Sequence, residues 1–175
     1  MEEESTRQEA EPIIAIRVCA EADIPAVRTS LNPSHLDEWF EQQEQGATSL
    51  LIAWSDGVPV GHLNLKWHGN EQPDVQQYVT GCPELNAISV WPPELRSQGI
   101  GRQLIAAAEA LAKAKGFHQV GLGVEVTNER AMQLYESLGY KDWGHGTYSD
   151  RWVETREDGT EEQHSDPCYY LIKSL

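Results

Sequence analysis

Residues 95–105 read Leu-Arg-Ser-Gln-Gly-Ile-Gly-Arg-Gln-Leu-Ile, a glycine-bearing turn that leaves an apolar strand and runs into an amphipathic helix. Gly99 and Gly101 lack a Cβ, so backbone N–H groups there can come close to a ligand. The helix they open places about half a positive charge at its N-terminus. The chemistry this suits is the binding of a phosphate or diphosphate. The pattern from Arg96 to Gly101, Arg-x-x-Gly-x-Gly, lacks the third glycine of the dinucleotide fingerprint and the Gly-Lys-Ser/Thr of a P-loop. The phosphate-bearing ligand is therefore of another kind.

The elements that must hold this turn follow from patterning. Residues 13–19 suit a first strand, and Asp23 as N-cap followed by Pro25 marks a first helix reaching about Leu31 before Asn32-Pro33-Ser34 breaks it. In residues 35–45, Leu36, Trp39 and Phe40 stand at i, i+3 and i+4, which predicts a second helix closed by Gly46. Residues 48–54 and 58–67 are β-rich runs joined by Ser-Asp-Gly, a hairpin signal. Residues 68–83, rich in Gly, Asn, Gln, Asp and Pro, read as a loop, and 84–90 as a fourth strand stopped by Trp91-Pro92-Pro93.

After the turn, Ile100, Leu104, Ile105, Ala108, Leu111 and Ala112 keep helical spacing until Lys113, Lys115 and Gly116 end a third helix. Residues 117–126 form strand five. Asn128 caps a fourth helix with Ala131, Leu134, Tyr135 and Leu138 on one face, ended by Gly139. Residues 141–155 and 163–173 flank Glu-Asp-Gly-Thr and read as a final antiparallel hairpin. The whole is a mixed α/β sheet of about seven strands with about four helices.

With 175 residues the chain is one domain, residues 12–175, preceded by an acidic tail of residues 1–11 that has little to bury and is expected to be disordered. No run of about 18 apolar residues occurs, and the acidic N-terminus is unlike a secretory signal, so a cytoplasmic protein without membrane contact is expected. Cys19, Cys82 and Cys168 have no metal or redox spacing and read as reduced core residues; the six histidines show no ligand spacing, so no metal is expected. The net charge of −15 disfavours nucleic acid and favours cationic ligands wherever acidic segments line a cleft.

Taken in order, the strand, turn and capped helix resemble the GNAT superfamily of acyl-CoA-dependent N-acetyltransferases. The matching residues are Ile88-Ser-Val-Trp-Pro-Pro-Glu before the turn, Arg96-Ser-Gln-Gly-Ile-Gly within it, and Asn128-Glu-Arg-Ala-Met-Gln-Leu-Tyr-Glu-Ser-Leu-Gly-Tyr140 after strand five. The resemblance extends over close to the whole chain. It implies a mostly antiparallel central sheet splayed between strands four and five, with helices on both faces. It also implies acetyl-CoA as co-substrate. The diphosphate would rest on the N–H groups of Ser97, Gln98, Gly99, Ile100, Gly101 and Arg102, with Arg96 and Arg102 adding positive charge. The pantetheine arm would follow the backbone of Ile88 and Val90, with Asn128 on its other side.

The same resemblance gives Tyr135 the role of general acid toward the departing thiolate, which a phenol with a pKa of about 10 can fill at neutral pH. It gives Glu84, which shares strand parity with Asn86, Ile88 and Val90, the role of base that deprotonates the amine. The competing structural readings are a buried aromatic for Tyr135 and an exposed strand-start carboxylate for Glu84. Direct attack is expected, because no cysteine or serine stands beside a base that argues for a covalent intermediate.

The acceptor wall implied by the resemblance includes the first two helices and the last hairpin. Their acidity, Asp37, Glu38, Glu41 and Glu44 on the second helix, points to a cationic small-molecule or peptide amine, with Trp39 and Trp152 stacking on it. Two alternatives remain open at this stage: a non-catalytic acyl-CoA-binding regulatory module, and a transferase of another acyl group. Homodimerisation is open too.

Overall fold

The computed structural model describes residues 13–175, so the acidic tail of residues 1–11 lies outside the described residues. One seven-stranded sheet has the order β1-β2-β3-β4-β5-β7-β6. Its strands are β1 Ile14–Val18, β2 Thr48–Ser55, β3 Val58–Lys66, β4 Glu84–Val90, β5 Gln119–Glu125, β6 Lys141–Thr155 and β7 Glu161–Ser174. The helices are α1 Ile24–Ser30, α2 Leu36–Glu44, α3 Pro73–Gln76, α4 Ile100–Ala114 and α5 Glu129–Ser137. Every neighbouring strand pair is antiparallel except β4 and β5, whose connection is the crossover helix α4 that a parallel pair requires.

The β4–β5 pair sets the shape of the molecule. It is bridged at a single position, Glu84 to Gly121, and beyond that point the two strands part, so the sheet opens along one edge of β4. The amphipathic helix α4 seals one face by burying Ile100, Leu104, Ile105, Ala108 and Ala112 against Leu63, Leu65, Leu85, Val120 and Leu122. Truncating a fully buried member such as Leu104 to alanine costs about 2–5 kcal/mol. On the other face α1 and α2 pack Val27 and Leu36 on Leu50 and Ile52. The alternation along β2 is what feeds both layers. At Gly61 the chain has no room for a side chain, because a Cβ would lie 2.9 Å from the Ser89 carbonyl oxygen on β4 and 3.2 Å from Leu104.

Three local features depart from the sequence reading. The stretch expected to be a loop contains α3, started by Pro73 and pinned by Val75, a lone buried apolar residue too isolated to set up a period. Asp23 stands at the N-terminal boundary of α1 without capping it, since its carboxylate is taken by the Arg17 guanidinium and the Ala20 N–H. Finally, β4 carries one extra residue at Ala87, which adopts φ +51° as the register against β3 shifts. This bulge corrects the expected common parity of Glu84, Asn86, Ile88 and Val90, because an extra residue turns the strand beyond it to the other phase.

Candidate active site

The bulge divides β4 between two cavities. Past it, Ile88, Ser89 and Val90 form one wall of a groove of about 510 Å³, whose other wall is α5 with Asn128, Ala131, Leu134 and Tyr135. At the end of the groove lies the glycine turn. Gly99 takes φ +85° immediately before the first residue of α4, a conformation in which a Cβ would be strained. The first intrahelical bond of α4 runs from Gln103 N–H to the Gly99 carbonyl, which leaves the N–H groups of Ile100, Gly101 and Arg102 without helical partners. Apart from its chain neighbours and the backbone of its own helix, no heavy atom lies within 4 Å of where a Gly101 Cβ would stand, so the helix start is open to an anion.

Three arginines frame this bend. Arg96 donates through Nε to the Val90 carbonyl at 3.2 Å and so ties the turn to the end of β4. Arg102 donates to Ser137 Oγ at 3.0 Å. Arg130, which the sequence reading left out, reaches from the first turn of α5 to Ser97 Oγ and lines the groove. Its signal was its place two residues after the cap Asn128, whose Oδ1 accepts the Ala131 N–H at 3.1 Å. Ser97, Gly99 and Gly101 line the groove as well, whereas the side chain of Gln98 folds back onto the Glu94 carbonyl and that of Ile100 enters the core. Any contact these two make with a ligand is through main chain.

Before the bulge, Glu84 and Asn86 belong to a second, narrower pocket of about 190 Å³, which Glu125, Tyr148 and Asp150 also line. Asn128, Ala131 and Tyr135 border both cavities, so the Tyr135 phenol stands where groove and pocket meet. Burial raises the Tyr135 pKa and keeps its proton on at neutral pH.

Glu84 is 4 % exposed, which removes the reading of it as a surface carboxylate. Asn70 Nδ2 donates to its Oε2 and also approaches Tyr148 Oη at 3.4 Å. Burial pushes Glu84 up to about 7, partly opposed by Lys66 and the Asn70 hydrogen bond. Lys66 is its cross-strand neighbour, but Lys66 Nζ is held 2.8 Å from Glu71. A carboxylate poised near neutrality beside a phenol that stays protonated is an acid–base pair with separated pKa values. Asn70 and Asp150 were not legible as site residues because they come from the loop after β3 and from the final hairpin, far apart in sequence.

The residues expected to touch an acceptor stand elsewhere. Trp39 packs its ring 5.5 Å from His62, and Glu38 faces His35 Nδ1 at 3.3 Å and accepts from Gln42. Trp152 stacks on His164 at 4.2 Å and donates to Asp166. None of the three borders either cavity. The hairpin also brings Glu154, Glu162 and His164 together, their ligand-type atoms within 4.8 Å of one another at an exposed site that spacing along the chain could not reveal. Cys19, Cys82 and Cys168 are free and buried, with burial raising each thiol pKa, so all three are protonated at neutral pH. Among the described residues no helix is long and apolar enough to cross a membrane.

Comparison with known proteins shows the family and the fold. Residues 16–140 match the family model described as the acetyltransferase (GNAT) family. A mycothiol acetyltransferase from Thermobispora bispora is 32% identical over 111 residues, covering 61% of this chain and 33% of that protein. The chain spans about a third of the length of the curated relatives it matches first. Among solved structures, an N-acetyltransferase from Staphylococcus aureus Mu50 superposes with a TM-score of 0.66 at 20% identity, over 93% of this chain and 98% of that one. The PaiA N-acetyltransferase of Thermoplasma acidophilum, in complex with coenzyme A, gives a TM-score of 0.58 at 18% identity, covering 93% and 99%.

Proposed function

The chain belongs to the acetyltransferase (GNAT) family, and from that premise we propose that it transfers the acetyl group of acetyl-CoA directly to a primary amine. The observation that carries this reading is the position of Tyr135 on the border of both cavities, one suited to an anionic nucleotide and the other to an amine. The groove fits the co-substrate on its own chemistry: unpartnered N–H groups at a helix start, Arg96, Arg102 and Arg130 around them, and an apolar wall of Ile88 and Val90 leading inward. A local concentration of positive charge is what an anion needs to settle on a protein whose net charge is −15.

In the reaction, the N–H groups of Gly99 to Arg102 with Arg96 and Arg130 hold the diphosphate, and the β4 edge exposed by its parting from β5 orients the pantetheine arm. Glu84 takes a proton from the incoming ammonium, directly or through water, which frees the nitrogen lone pair to attack the thioester carbonyl. When the carbon–sulfur bond breaks, Tyr135 donates its proton to the thiolate, the remaining excess proton on the attacking nitrogen passes back to the Tyr135 phenolate, and Glu84 gives the proton it took to solvent. Holding both reactants in adjoining cavities replaces a bimolecular encounter by an oriented one. A mass-spectrometric screen of amines with acetyl-CoA, run beside a thiol-release assay, tests the reading. An amine that gains 42 mass units, the order set by an acetyl group replacing one hydrogen (~42), with equal release of CoA thiol supports it; CoA binding without turnover of any amine would favour the regulatory module instead.

A further inference from the structure

Resting on the transferase reading, we infer that Asp150 and Glu125 select acceptors carrying a second cationic group, a short alkyl chain away from the amine that is acetylated. The acceptor pocket is small. Its volume of about 190 Å³ is room for roughly six waters at about 30 Å³ each. Three carboxylates border it, Glu84, Glu125 and Asp150, and among the described residues no lysine, arginine or histidine lies within ion-pairing distance of any of them.

The three are placed for different work. Glu84 sits at the buried end against Asn70. Asp150 is half-buried and accepts from Gln72 Nε2 at 3.2 Å; it feels the Lys66 ammonium, which is held by Glu71 and makes no ion pair with it, and the like charge of Asp166 across the hairpin. Glu125, the last residue of β5, is exposed at the mouth. A half-buried carboxylate without an ion-pair partner, as Asp150 is, gains more from an entering cation than one at an open surface does, and Glu125 adds its charge at the pocket's exposed side.

The cation they hold cannot be the reacting amine. That nitrogen must lose its charge before it can attack, and a fixed pair of carboxylates around it would stabilise the ammonium and oppose the reaction. A second ammonium or guanidinium, kept charged throughout, resolves the conflict: Asp150 and Glu125 bind it while Glu84 deprotonates the first. The acidic residues of α2 border neither cavity, and there Asp37 is paired with Arg28 and Glu38 lies against His35.

The test compares 1,5-diaminopentane with pentylamine, which share a chain and differ by one ammonium, in wild type, Asp150→Asn, Glu125→Gln and the double variant. Wild type should show a kcat/KM about tenfold or more higher for the diamine, and Asp150→Asn should cut that ratio about tenfold, chiefly through KM, with Glu125→Gln giving about threefold. The ratio cancels any effect of the substitutions on Glu84, which serves both amines, and calorimetric binding of CoA reports that each variant is folded. Acetylation of both amines with a ratio near one in wild type, or a ratio that the double variant leaves unchanged, overturns the inference and leaves the transferase reading standing. Failure to acetylate any amine in a broad screen overturns the transferase reading, and this inference with it.

Discussion

On one side of Tyr135 lies a groove lined by main-chain edges and arginines, and on the other a pocket lined by carboxylates that make no ion pair among the described residues. The groove is made by short stretches of chain: one strand end, one turn and the starts of α4 and α5. The pocket is assembled from β4, the end of β5, α5 with its cap and both strands of the last hairpin, with Asn70 from the loop after β3 holding Glu84. The difference teaches that the proposed anion site is local and set apart from a net charge of −15, whereas the proposed amine site exists only when distant segments close around it. On the proposed function, opposite electrostatics on the two sides of one phenol let an anionic donor and a cationic acceptor be held at once.

Removing the shared border should have the largest effect. Tyr135→Phe should lower kcat about 10²–10⁴-fold, the usual worth of a positioned general acid, while calorimetric affinity for CoA changes little. Next comes the buried end of the pocket, where Glu84→Gln should cost about 10²-fold at neutral pH. In wild type, kcat should rise about tenfold per pH unit below about 7 and level off above it, because Glu84 must be ionised to act and its pKa stands near 7.

The same carboxylate leaves a mark on stability. Its pKa is raised on folding, so the folded state holds the proton more tightly than the unfolded one, and its ionisation opposes folding as pH climbs from about 4.5 to about 7. Thermal melting should show a loss in this window, on the order of 3 kcal/mol, that Glu84→Gln lacks.

A smaller effect belongs to the groove. Arg130→Ala should raise the KM for acetyl-CoA about tenfold with kcat nearly kept, the scale of one charge-assisted contact to phosphate. Smallest of all, Glu38→Gln and Trp152→Ala should each change kcat/KM less than about twofold, since neither side chain borders a cavity. A large loss in either would show that the acceptor extends well beyond the pocket and would undo the contrast drawn above.

The two sides also differ in how much the sequence disclosed. Strand β4 was legible at its ends, and α4 from the spacing of Ile100, Leu104, Ile105, Ala108 and Ala112, because periodicity and turn chemistry are local. The final hairpin was legible from Glu-Asp-Gly-Thr between two β-rich runs. The bulge at Ala87 was not, since one extra residue leaves no trace in the pattern yet decides which cavity each β4 side chain meets. Asp150, Asn70 and Tyr148 were silent for a related reason. Their proximity to Glu84 is created by tertiary contacts across as many as 78 positions, and an isolated polar residue in a loop or hairpin looks like any solvated one. The acidity of α2 was legible, but its partners were not: Arg28 folds against Asp37 and His35 against Glu38.

A crystal structure with acetyl-CoA bound is the sharpest single measurement. It should show the diphosphate against the N–H groups of Gly99 to Arg102, the thioester sulfur within hydrogen-bond reach of Tyr135 Oη, and the acetyl carbonyl turned toward the Glu84 pocket. A nucleotide seated away from this bend, or a sulfur remote from the phenol, would contradict the assignment of the two cavities.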